Sequence, residues 1–115
     1  MEKLCKIRDV QRAVYQFELS FEKEHGIGLN EGMVLCSLMK HEKLSSGEIG
    51  DMLGLSSSNT SKVIKSVEKK ELIERIMGTE DKRQMYFVLT EKGKQLMNKV
   101  KCTDVEIPDL LDSMI

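Results

Sequence analysis

Apolar residues recur at spacings of three and four from Leu4 through Ile7, Val10, Val14 and Phe17 to Phe21. That period lays them along one stripe of a helix. The stretch His25-Gly26-Ile27-Gly28 ends it. Gly26 suits the left-handed position just beyond a helix, and His25 suits the negative end of the helix dipole. A helix of roughly 20 residues is long for a small domain. Part of its stripe is therefore expected to pack against a partner outside the monomer.

The same period returns three more times in quick succession. Asn30 is a suitable N-cap for a second helix, with Val34, Leu35, Leu38 and Met39 as its inner face and an end near His41. Ser45 and Glu48 have the spacing of a capping box and open a short third helix carrying Ile49, Met52 and Leu53. Gly54 stops it. A fourth helix over 57–70 follows at once, with Thr60, Val63, Ile64 and Val67 turned inward. A short helix, a tight glycine turn and a longer helix form the helix-turn-helix layout.

After Leu72 the period changes from helical to alternating. Residues 73–77 (IERIM) and 85–89 (MYFVL) read as strands, and 78–84 (GTEDKRQ) as the polar turn of a β-hairpin. Thr90 then caps a further helix with Leu96, Met97 and Val100 on one face. Pro108 suits the first turn of a last short helix, DLLDSMI. The expected fold is mainly α with a small antiparallel β-hairpin wing: a winged helix-turn-helix with a long N-terminal dimerisation helix. No internal repeat, low-complexity segment or second domain is visible, so residues 1–115 read as one domain.

Composition narrows the chemistry. One proline, no tryptophan and few aromatics favour helices over a β-sandwich. No apolar run approaches the ~18 residues of a membrane span. The charged N-terminus lacks the apolar core of a signal peptide. A cytoplasmic protein with no membrane partner is expected. Net charge is −1, but it is unevenly spread. Residues 1–54 have seven Lys/Arg against nine Asp/Glu, 55–103 have eleven against six, and 104–115 have none against four. The basic segment is the one that opens with the fourth helix, and local basic surface is the footprint of a polyanion binder.

Candidate chemistry outside that segment is thin. No nucleophile–base–orienter set and no phosphate-cradling glycine loop is present, which argues against an enzyme and predicts no cofactor. His25 and His41 fall at helix ends, where a cation is favoured without any ligand. The acidic tail (Asp104, Glu106, Asp109, Asp112) reads as a solvated face before a cation site. Cys5, Cys36 and Cys102 form neither a disulfide framework nor a zinc pattern. Cys36 lies between Leu35 and Leu38 and reads as packing. Cys5 and Cys102 lie in the terminal segments, with lysines nearby, and leave open a thiol-based redox-sensing regulator.

The stretch LSSGEIGDMLGLSSSNTSKVIKSVEKKELIER, followed by EDKRQMYFVLTEKG with its Asp81-x-Arg83 and Leu89-Thr90-Glu91-Lys92-Gly93, resembles the MarR family of winged helix-turn-helix proteins. The resemblance covers about residues 44–93, with the long first helix as a weaker match. It implies a dimeric transcription regulator, often one that answers to a small-molecule effector. Dimerisation segments would lie at about 1–27 and 91–115, and a DNA-binding lobe at about 28–90. Leu4, Ile7, Val14 and Phe21 are the expected dimer interface. Two departures stand out: Glu71 occupies a position the family usually gives to glycine, and the region after 101 is shorter and more acidic than usual.

The fourth helix leaves Ser57, Ser58, Asn59, Ser61, Lys62, Lys65, Ser66 and Lys69 outside its apolar face. An α-helix fits the major groove of double-stranded DNA, and short polar side chains reach base edges there. Asn59 suits adenine, Lys62 suits guanine, and the serines suit bases or phosphates. The resemblance places Ser58, Asn59, Ser61, Lys62 and Lys65 at positions that commonly face DNA. It also implies that Asp81 positions Arg83 for the minor groove, while Lys82 meets a phosphate. Against these stand blander readings: a solvated helix face, an ordinary charged hairpin tip, and a winged-helix module whose partner is another protein.

Overall fold

The computed structural model describes residues 2–81, 83–102 and 107–115, with Cys102 described by its backbone alone. Lys82, Asp104, Glu106 and the Cys102 thiol therefore lie outside the described residues. The element order is α1 (Glu2–His25), α2 (Leu29–Lys40), α3 (Ser46–Leu53), α4 (Ser57–Lys69), β1 (Ile73–Met77), β2 (Met85–Leu89), α5 (Glu91–Cys102) and α6 (Asp109–Asp112). This is the winged helix-turn-helix expected from the hydrophobic periods. The chain divides into two compact units, Met1–Leu29 with Thr103–Ile115, and Asn30–Cys102.

In the first unit α1 packs with α6. Gly26 ends α1 in the left-handed conformation, φ 74°, and its N–H donates to the Glu22 carbonyl at 2.8 Å. Ala13 and Phe21 are buried, whereas Leu4, Ile7, Val14, Tyr15 and Leu19 are exposed. Pro108 stands one place ahead of its expected first-turn position, as the N-cap of α6. Among the described residues no helix is long and apolar enough to cross a membrane.

The second unit is built around Val34, Leu35, Ile49 and Val67, which are wholly enclosed. Ile64, Leu72, Ile73, Phe87 and Met97 surround them. Burying each such side chain contributes about 1.5–3 kcal/mol. β1 and β2 pair antiparallel, from Ile73 opposite Leu89 to Met77 opposite Met85. Leu44 adds a one-residue third strand, its N–H and C=O both bonded to Phe87, at 3.2 and 2.8 Å. Thr90 caps α5 as expected, accepting from the Gly93 N–H at 3.0 Å.

Several local expectations are corrected. α2 begins at Leu29, so Asn30 sits inside its first turn and is not its cap. Met39 and Cys36, which was expected to pack, are both exposed, because each follows a buried leucine (Leu38, Leu35) by one residue and so turns about 100° out of the buried stripe. Glu31, Gly32 and Ser37 complete that stripe instead. In α3, Met52 is exposed and Gly50 is buried. The crossing of α4 at Gly50 draws the inner face of α3 to that side.

Candidate nucleic-acid interface

The helix-turn-helix is held by caps at each joint. Ser45 accepts from the Glu48 N–H at 3.2 Å while the Glu48 carboxylate accepts from the Ser45 N–H at 3.0 Å, the reciprocal box read from the spacing. The bond from the Ser45 N–H, foremost, and the Ser45 hydroxyl hold the Glu48 carboxyl below its ordinary pKa. Gly54 closes α3 in the left-handed conformation, φ 69°. The Leu55 N–H then reaches the Gly50 carbonyl at 3.0 Å. Ser56 caps α4, its hydroxyl accepting from the Asn59 N–H at 3.2 Å. α3 and α4 meet so closely that a Cβ on Gly50 would lie 2.8 Å from the Thr60 hydroxyl.

These joints leave Ser57, Ser58, Asn59, Ser61, Lys62, Lys65 and Lys69 exposed on α4, opposite the buried Thr60, Ile64 and Val67. Ser66 is the exception to the outward set. Its hydroxyl donates to Glu31 Oε2 at 2.8 Å, and Lys70 Nζ pairs with Glu31 Oε1 at 2.8 Å. On the other flank, Glu68 grips Arg75 of β1 through two bonds of 2.8 and 2.9 Å. The Arg75 guanidinium also lies over the Phe87 ring, 5.3 Å from its centroid. The helix is thus tied to α2 on one side and to the hairpin on the other.

At the hairpin tip Asp81 accepts from the Arg83 N–H at 3.0 Å, and its carboxylate lies 3.6 Å from Arg83 Nε. The Arg83 side chain is 95% exposed. Gly78 N–H donates to the Gln84 carbonyl at 2.8 Å and closes the loop. The exposed face of α4, Asp81 and Arg83 all belong to one compact unit. What this arrangement can do is present small polar groups, three lysines and one arginine to a polyanion. Of the expected dimer residues, Leu4, Ile7 and Val14 are exposed and Phe21 is buried in its own chain.

Glu31 was missed by sequence reasoning, although a signal existed. It precedes Val34, Leu35 and Leu38 by three, four and seven residues, so a carboxylate stands in the apolar stripe itself. The Leu44 bridge had no such signal, because one residue carries no period.

Residues 27–85 match the MarR family. The chain is 26% identical over 102 residues to the HTH-type transcriptional regulator SarV of Staphylococcus aureus, covering 85% of this chain and 88% of that relative. Among solved structures it resembles a MarR/EmrR family transcriptional regulator from Acinetobacter, with 27% identity, a TM-score of 0.76, and coverage of 87% of this chain and 71% of the other. It also resembles reduced AbfR bound to DNA, with 30% identity, a TM-score of 0.73, and coverage of 86% and 70%. The matched segment is the one that builds the helix-turn-helix and most of the wing, and it exceeds half of the 115 residues. The chain belongs to the MarR family of winged-helix transcriptional regulators.

Proposed function

We propose that the chain is a cytoplasmic homodimer that binds pseudo-palindromic double-stranded DNA in a sequence-specific way and is released by a small-molecule effector. The exposed polar face of α4, held on both flanks, is the observation that carries the reading. Ser57, Ser58, Asn59, Ser61, Lys62 and Lys65 would face the major groove, with their short or flexible side chains at base edges and phosphates. Arg83, oriented by Asp81, would enter the minor groove, and Lys82 would meet a phosphate. Two α4 helices related by a two-fold axis would read half-sites about 10 bp apart. Support comes from the resemblance to AbfR, which was solved on DNA.

Dimerisation is assigned to α1 together with the C-terminal segment. Leu4, Ile7 and Val14 leave apolar surface open on α1. With Phe21 already covered, the N-terminal part of the stripe is the portion left for a partner.

Alanine at Lys62, Lys65 and Arg83 tests the DNA reading. Each lost phosphate contact lowers the steepness of the salt dependence by about one unit. Unchanged duplex affinity with no salt dependence would leave the protein-interaction module as the better account. A thiol-sensing version of the regulator has its own support in the exposure of Cys5. Peroxide treatment that leaves wild-type DNA affinity intact removes it.

A further inference from the structure

We infer that Glu31 is a positioning residue for base reading by α4, an inference that rests on the DNA-binding role proposed above. Glu31 lies on α2, outside the helix-turn-helix, and it is 9% exposed. Its two carboxylate oxygens serve two donors, one on α4 and one at its C-cap: Ser66 Oγ at 2.8 Å and Lys70 Nζ at 2.8 Å. Those donors are four residues apart, hence on one flank of the helix. Glu68, on the opposite flank by the helical step of about 100° per residue, is gripped by Arg75. The exposed face with Ser58, Lys62 and Lys65 lies between the two flanks.

The consequence concerns rotation of α4 about its own axis. Ile64 and Val67 hold the helix by apolar contact, which is non-directional. The Glu31 bonds to Ser66 and Lys70 are directional, and a turned helix would lengthen or break both. Glu31 on one flank, with the Glu68–Arg75 grip on the other, therefore favours one rotation, and with it the direction in which Asn59 and Lys62 leave the helix. Bidentate base contacts depend on that direction.

Electrostatics and positioning make opposite predictions for Glu31→Gln. The substitution removes a negative charge beside Lys70, so charge alone would tighten binding to any duplex. Positioning predicts weaker binding to a specific duplex only. The probes are a duplex enriched by the wild-type protein from a random-sequence pool and a scrambled duplex of equal length and composition. The expected result is a roughly tenfold fall in the enriched-to-scrambled affinity ratio, with scrambled binding unchanged or tighter. Combining Glu31→Lys with Lys70→Glu restores the ion pair in reverse and should return the ratio toward the wild-type value.

A ratio unchanged in Glu31→Gln overturns the inference, as does equal weakening on both duplexes. A folded charge-swapped protein that keeps the depressed ratio also overturns it. If the wild-type protein enriches no duplex, the DNA-binding reading itself falls and takes the inference with it. That failure is seen before any variant is compared.

Discussion

Glu71 holds a left-handed backbone, φ 62°, at a position where the MarR resemblance leads one to expect glycine. A side chain costs about 1–2 kcal/mol in that conformation. The bonds around it are made by its backbone: its N–H donates to the Glu68 carbonyl at 2.9 Å, and its C=O accepts from the Thr90 hydroxyl at 2.7 Å. Glu71→Gly keeps both bonds and relieves the strain, against some added freedom in the unfolded chain. A gain of about 0.5–1 kcal/mol is expected, read as a rise in melting temperature of a few degrees. Glu48 supplies a pH prediction. Its folded-state pKa is lowered, chiefly by the bond from the Ser45 backbone. Its stabilising effect is therefore full above the ordinary glutamate pKa and is lost as pH falls through the lowered one. Glu48→Gln keeps an acceptor for the Ser45 N–H but loses the charge. Wild type and variant should differ least in acid and most near neutrality, by denaturant melts across pH.

At the scale of elements, the legible parts were those with a local chemical signature. The capping box at Ser45 and Glu48, the stop at Gly54 and both strand boundaries depend on neighbours within a few residues, so the chain order reveals them. What failed depended on packing between elements. Met39 and Met52 fall on the inner stripe by spacing yet are exposed, because helical spacing shows where a stripe runs but not how wide it is. Ser66 reads as outward from its spacing but bonds Glu31, because nothing near it in sequence announces that partner. Gly93 illustrates the same limit: a Cβ there would lie 2.2 Å from the Leu72 carbonyl oxygen. No flexible side chain can yield at that contact. Gly93→Ala is expected to lower stability by about 1–3 kcal/mol or more, in an ordinary denaturant titration.

For the whole molecule, the exposed N-terminal stripe of α1 carries the prediction. Leu4 is 66% and Ile7 56% exposed in the single chain. Replacing both by glutamate should yield a monomer by light scattering. Losing the linked second half-site should weaken binding to a two-half-site duplex by about a hundredfold or more. Binding to a single half-site should change little. A dimer that survives the substitutions would move the interface elsewhere. The root of the wing has a separate consequence. Ile73 faces Leu89, the Thr90 N–H meets the Leu72 carbonyl at 3.1 Å, and the Thr90 hydroxyl meets the Glu71 carbonyl. Both legs of the hairpin are stitched together at their base, independently of the tip. The tip beyond Gly78 is therefore an exchangeable cassette. A change of length or charge in the tip would leave the bonds at the base in place.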